Sequence, residues 1–168
     1  MKSVAKEKFV QILNDHKGII LKVTYAYCSD FEDRKDLEQE IAIQIWRSLK
    51  RYDGRAKLST WIYRVALNVA ISYQRKDLKA RELHPPLDDV IFRAIPSQIS
   101  EEPDSRITLL YQFINQLDEF SKAIMLLYLD ENSYESIAEV LGTTRTNVAT
   151  KISRIKKKLR TEFFTVNH

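Results

Sequence analysis

The chain has 168 residues, 44% of them hydrophobic, with three glycines, four prolines, a single cysteine and a formal net charge of +4. One cysteine excludes an internal disulfide and a cysteine-based zinc cluster. No apolar run approaches the ~18 residues of a membrane span, and the N-terminus alternates charge with apolar residues instead of forming the apolar stretch of a secretory leader. A cytoplasmic protein without membrane insertion is therefore expected. So few glycines and prolines leave little material for the many turns of a sheet protein, which favours helices.

Taken in order, Phe9, Ile12, Leu13, Ile19, Ile20 and Val23 recur at helical spacing, predicting one or two helices over 4–28 around Gly18. Leu37, Ile41, Ile45, Trp46 and Leu49 step by threes and fours through a second stretch, 33–52, with Trp46 expected in the core. Asp53-Gly54 is a turn signal. Ser59 and Thr60 then read as an N-cap for a helix over 61–79, whose stripe is Ile62, Val65, Ala66, Val69 and Tyr73. Residues 84–105 hold all four prolines, each of which lacks a backbone donor and restricts its predecessor, so 83–106 reads as a linker with a short ordered piece at 90–94. Helical periodicity returns at 107–117, 121–129, 133–141 and 144–163. The expected fold is all-α: two small helical domains, 1–82 and 107–168, on a flexible linker.

The C-terminal unit is the more distinctive. Ile137, Ala138 and Leu141 form the inner face of a short helix. Gly142 supplies the turn, Thr143 or Thr144 can cap the next helix, and Val148, Ile152, Ile155 and Leu159 form its buried stripe. A small residue, a glycine four on and an apolar residue six beyond is the spacing of a helix-turn-helix. The solvent side of the second helix carries Arg145, Thr146, Asn147, Thr150, Lys151, Ser153 and Arg154, side-chain types able to read base edges in a major groove. Lys156, Lys157, Lys158 and Arg160 lie too far along to reach bases and suit phosphates or solvent. From Arg145 to Arg160 there are seven basic residues and no acid, whereas a purely structural surface helix usually mixes signs.

The N-terminal unit has two features. Asp36, Gln39, Glu40 and Gln44 lie on the face opposite Leu37, Ile41 and Ile45, an acidic face that by itself means only solvation. From Lys50 to Arg81 there are nine basic residues and two acids, interleaved with Tyr52, Trp61, Tyr63 and Tyr73. Cations hold a phosphate backbone and aromatic faces stack on unpaired bases, a pairing suited to opened nucleic acid. Asn68, inside the apolar run VALNVAI, is read on its own as a buried amide bonded to neighbouring backbone.

Together the two halves resemble a family. DLEQEIAIQIWRSLKRYDGRAKLSTWIYRVALNVAISYQRK is similar to the promoter-melting domain of bacterial sigma factors, and INQLDEFSKAIMLLYLDENSYESIAEVLGTTRTNVATKISRIKKKLR to their helix-turn-helix domain. Having only these two units resembles the extracytoplasmic-function (ECF) group. The resemblance implies that 1–82 binds core RNA polymerase through Asp36, Gln39 and Glu40. The same unit would hold the −10 strand through Tyr52, Arg55, Lys57, Trp61, Tyr63, Arg64 and Arg75, with Asn68 at a flipped base. It implies that 107–168 reads the −35 duplex through Arg145, Thr146, Asn147, Thr150, Lys151, Ser153, Arg154 and Lys157. It also implies an anti-sigma factor as a further partner, no cofactor, no metal and no enzymatic activity.

Three other readings compete. An ordinary helix-turn-helix regulator would share the C-terminal half and leave the acidic helix and the aromatic-basic stretch unexplained. A helical adaptor that binds only protein would not need an acid-free basic helix. An enzyme would need a paired site, but His16, His84 and His168 are scattered and the three glycines form no phosphate-binding loop.

Overall fold

The computed structural model describes residues 2–83 and 105–166. Among these there are only helices: α1 (Lys2–Asp15), α2 (Lys17–Tyr27), α3 (Phe31–Ser48), a 3-10 turn (Leu49–Arg51) and α4 (Leu58–Leu83) in one group, then α5 (Ser105–Asn115), α6 (Glu119–Leu129), α7 (Tyr134–Leu141) and α8 (Arg145–Val166) in a second. The linker expected over 83–106, with its ordered piece at 90–94, lies outside the described residues except at its two ends.

Local chemistry sets most boundaries. The Asp30 carboxylate caps α3 by accepting from the amides of Glu32 and Asp33 at 3.1 and 3.2 Å. Asp118 caps α6, accepting from the amides of Phe120 and Ser121 and from the Ser121 hydroxyl. Ser133 caps α7, and Thr144 caps α8 by accepting from the Asn147 amide. Two boundaries differ from expectation. The first helix breaks at His16, whose φ of −114° and ψ of 16° leave the helical region, and Gly18 lies inside α2. Helix α4 begins at Leu58, so Ser59 and Thr60 form its first turn instead of its cap; the Trp61 amide already donates to Lys57.

The core of the N-terminal group is built from Val23, Ala26 and Tyr27 of α2, Leu37, Ile41 and Ile45 of α3, and Ile62, Ala66, Leu67 and Ala70 of α4. Each large aliphatic buried here contributes about 1.5–3 kcal/mol from water exclusion. That core does not stop at the end of the group. It runs without a break into Ile114, Ala123, Ile124, Leu127, Ile137, Val148 and Ile152 of the second group. Helix α2 packs on α5 and α6, and α4 packs on α6 and α7. A smaller cluster of Phe113, Leu117, Met125 and Ile155, flanked by Tyr128 and Leu159, anchors α8 from the other side. Cys28 is buried among these helices; burial, reinforced by Asp33 and Asp77, pushes its thiol up to about 12, so it stays protonated and serves as packing.

Trp46 was expected inside and is not. It stands 45% exposed with its ring edge-on to Phe9 of α1, centroids 4.9 Å apart. The stripe of α3 is already filled by Leu37, Ile41 and Ile45, and position 46 falls one step beyond it.

Candidate nucleic-acid interface

Helix α8 presents the helix-turn-helix geometry that the spacing predicts. Gly142 adopts φ 66° and ψ 39°, the left-handed cap of α7, and nothing stands within 4 Å of where a Cβ would be, so the conformation and not crowding requires glycine. Val148 and Ile152 are fully buried, which turns Thr146, Thr150, Ser153, Arg154 and Lys157 to solvent together. Three other members of the predicted set are engaged within the fold. Arg145 pairs with Glu135 of α7. Asn147 donates from its amide to the Thr143 hydroxyl at 2.8 Å. Lys151 lies half-buried with its ammonium 5.4 Å from the centre of the Phe120 ring. Lys156 behaves similarly, its ammonium 4.5 Å from the centre of the Tyr128 ring, whereas Lys157, Lys158 and Arg160 are exposed.

On α3, Asp36, Gln39 and Glu40 are all exposed. Glu40, with Gln44 and Ser48, forms one wall of a groove of about 390 Å³ whose other wall is Val65, Asn68, Ser72, Tyr73 and Lys76 of α4. Asn68 is therefore not the buried amide that its apolar neighbours suggest. It is exposed, because Leu67 and Ala70 take the inward positions beside it. The groove brings a candidate docking residue, Glu40, and a candidate base-pocket residue, Asn68, to one place.

The remaining strand candidates divide. Lys57 is exposed, and Arg55 is exposed with its guanidinium 3.4 Å from the Asp53 carboxylate. The Tyr52 and Trp61 rings are tilted against each other with centroids 5.3 Å apart, and the Tyr52 hydroxyl donates to the Ala56 carbonyl at 2.6 Å. Tyr63, Arg64 and Arg75 are drawn to the C-terminal group. Tyr63 is 2% exposed and its hydroxyl donates to Asp130 at 2.8 Å. Burial first, then this bond to a carboxylate, raises its pKa. Arg64 donates to the Glu139 carbonyl at 2.9 Å, and Arg75 pairs with the Glu119 carboxylate.

Sequence reasoning missed Asp130, Glu119, Lys22 and Tyr27. Lys22 of α2 pairs with Asp130 at 2.7 Å, and the Tyr27 hydroxyl donates to the Glu119 carbonyl at 2.6 Å. Burial works to raise the Asp130 carboxyl, but the Lys22 ammonium and Tyr63 hydroxyl outweigh it and hold it below the ordinary value. These partners are 67 to 108 residues apart, and no local motif signals them. Among the described residues no group of three or more His, Cys, Asp or Glu could hold a metal, and no helix is long and apolar enough to cross a membrane.

An all-helical chain with a helix-turn-helix at one end and a basic, aromatic-rich helix beside an acidic one at the other has the form of a transcription initiation factor. The family comparisons agree: residues 12–80 match Sigma-70 region 2 and residues 107–159 match Sigma-70, region 4. The chain belongs to the ECF group of bacterial RNA polymerase sigma factors and directs transcription initiation. It is 26% identical over 165 residues to the ECF RNA polymerase sigma factor SigW of Bacillus subtilis, covering 92% of this chain and 88% of that one. It is 27% identical over 173 residues to the ECF RNA polymerase sigma-E factor of Haemophilus influenzae, covering 92% and 89%. In fold it is similar to the sigma factor RpoE solved with the anti-sigma factor NepR from Bartonella quintana, at a TM-score of 0.67, 19% identity and full coverage of both chains. It is equally similar to CnrH solved with the cytosolic domain of CnrY, at a TM-score of 0.67 and 18% identity, covering 95% and 90%.

Proposed function

We propose that residues 1–82 dock on core RNA polymerase and hold the opened −10 strand, that 83–106 act as the linker, and that 107–168 read the −35 element as duplex. The observation that carries this reading is that the acidic face of α3 and the polar-basic face of α8 are both open to solvent on one molecule. Asp36, Gln39 and Glu40 form the docking face. Thr146, Thr150, Ser153, Arg154 and Lys157, supported by Arg145, Asn147 and Lys151, face the duplex; Arg154 reads a base edge and Lys157 holds phosphate.

Opening DNA requires a higher affinity for the opened strand than for the duplex, since only such a difference shifts the equilibrium. The groove beside Asn68 is large enough for a nucleobase and offers an amide, a carboxylate and an ammonium at its walls. Tyr52, Arg55, Lys57, Trp61, Arg64 and Arg75 hold the strand leading to it, by stacking and by phosphate contact, while Tyr63, buried and bonded to Asp130, steadies α4 from within. The partners are core polymerase, promoter DNA and an anti-sigma factor, and the site of action is the cytoplasm.

Reconstituted transcription tests this. The purified protein is mixed with bacterial core RNA polymerase and genomic DNA fragments, and the 5′ ends of the transcripts are sequenced. Discrete new starts sharing two upstream motifs are expected. Intact duplex binding with neither polymerase binding nor new starts would instead indicate an ordinary helix-turn-helix regulator.

A further inference from the structure

Three side chains near the start of α8 have partners inside the fold, and they are not equivalent. The Arg145 charge is met by Glu135, and the Lys151 ammonium rests on the Phe120 ring. Asn147 is neutral and keeps hydrogen-bonding capacity in reserve. A primary amide has two N–H hydrogens and a carbonyl oxygen. Nδ2 of Asn147 gives one hydrogen to the Thr143 hydroxyl at 2.8 Å. Among the described residues neither its second hydrogen nor Oδ1 has a partner. Oδ1 is not sealed in either: the side-chain polar atom buried without a partner among the described residues is Oε1 of Gln74. Thr143 is itself fixed. Gly142, in the left-handed region, turns the chain so that the Thr143 amide donates to the Ala138 carbonyl at 2.9 Å. The Asn147 backbone is held beside it, its amide donating to Thr144 Oγ1 at 3.1 Å. One turn therefore carries both the hydroxyl that receives Nδ2 and the cap that holds its backbone.

We propose that Asn147 selects an adenine in the −35 duplex, accepting from its N6 amine through Oδ1 and donating its free hydrogen to N7, with Thr143 as the positioning residue that holds the amide for it. The proposal rests on the −35 role given to α8 above. One donor and one acceptor remain on Asn147, and adenine is the base whose major-groove edge offers one acceptor beside one amine. Guanine offers two acceptors there, cytosine an amine alone, and thymine an acceptor beside a methyl group, so each leaves one of the two amide groups unmatched. Asn147 also shares a stripe of α8 with Arg154, seven residues and nearly two turns further on. At about 1.5 Å of rise per residue the two side chains stand roughly 10 Å apart along the helix. The bases they read then fall within about three pairs of each other.

Selection from a pool of duplexes with a randomised window tests this, using the full chain assembled with core RNA polymerase and sequencing what is retained. The unaltered chain should enrich adenine at one position by about tenfold over the other bases. Asn147→Ala should erase that preference and leave the other positions as they were. Thr143→Val, which removes the hydroxyl at nearly constant volume, should cut it severalfold, and Thr143→Ser should restore it. A second position within about three pairs should depend on Arg154 and ignore both of these residues. Adenine enrichment that survives Asn147→Ala, or an Asn147-dependent position that prefers another base, would overturn the assignment. Equal loss at every position in Asn147→Ala would reduce Asn147 to a helix cap and overturn it as well, and a Thr143→Val profile identical to that of the unaltered chain would remove Thr143 from its role. If Arg154→Ala also leaves every preference unchanged, the −35 reading of α8 fails with the proposal; if Arg154→Ala alters the motif and Asn147→Ala does not, only the proposal fails.

Discussion

The salt dependence of duplex binding follows from which cations on α8 are free. Arg154, Lys157, Lys158 and Arg160 are exposed, while Lys151 and Lys156 rest on aromatic rings of α6. With Arg154 on a base edge, Lys157, Lys158 and Arg160 are left for phosphates; each phosphate neutralised contributes about −0.9 to the slope of log affinity against log salt, so three contacts give a slope of about −2.7 at most. A rise from 50 to 200 mM salt would then weaken binding by up to roughly 40-fold. Lys157→Ala should reduce the slope by about 0.9, whereas Lys156→Ala should change it by less, because the Lys156 ammonium already rests on the Tyr128 ring. The assay is fluorescence anisotropy of a labelled promoter duplex over a salt series, with each slope fitted separately. Equal reductions for Lys156→Ala and Lys157→Ala would refute the argument that the rings withhold one cation and not the other.

Arg154→Ala should weaken promoter binding by about 1–3 kcal/mol and relax preference at one base pair, read by anisotropy on single-substitution duplexes. Reversing the charges of Asp36 and Glu40 together should abolish polymerase pull-down while leaving the helical circular dichroism signal unchanged. Trp46→Ala should cost no more than about 1.5 kcal/mol in urea unfolding, the scale of one exposed aromatic pair, whereas Ile41→Ala in the closed core should cost about 2–5 kcal/mol. The Asp118 carboxyl is buried enough to raise it, yet bonds from the Ser121 hydroxyl and amide prevail and lower it. A group depressed in the folded state contributes stability above its unfolded value and loses it as pH falls through the folded one, so Asp118→Asn should flatten the acid limb of a pH–stability curve below about pH 4.

What could be read from the sequence was mostly local. Gly142, Thr144 and Val148 announce the helix-turn-helix because each acts within one or two turns of its own position. The outward face of α3 follows from the step of Leu37, Ile41 and Ile45. Trp46 was misplaced because its burial depends on how far α1 reaches over α3, which periodicity does not encode. The reading of Asn68 on its own as a buried amide fails for the converse reason: apolar neighbours on a helix imply nothing about the position between two inward ones. The junction around Asp130 and Glu119 left no trace because its partners lie 44 to 108 residues apart in the chain, beyond the reach of any local pattern.

Asn147 shows a further consequence of the turn's geometry. With its amide held on the Thr143 hydroxyl, the side chain has settled on one rotamer before any partner arrives. Immobilising a free side chain at an interface costs about 0.5–1.5 kcal/mol in entropy. Asn147 has already met most of that cost on folding, whereas Arg154 and Lys157 meet theirs only on binding. In the −35 role proposed for α8, its start is thus preorganised and its later exposed positions are ordered only on binding, so a mismatched base should be felt more sharply at the first than at the second.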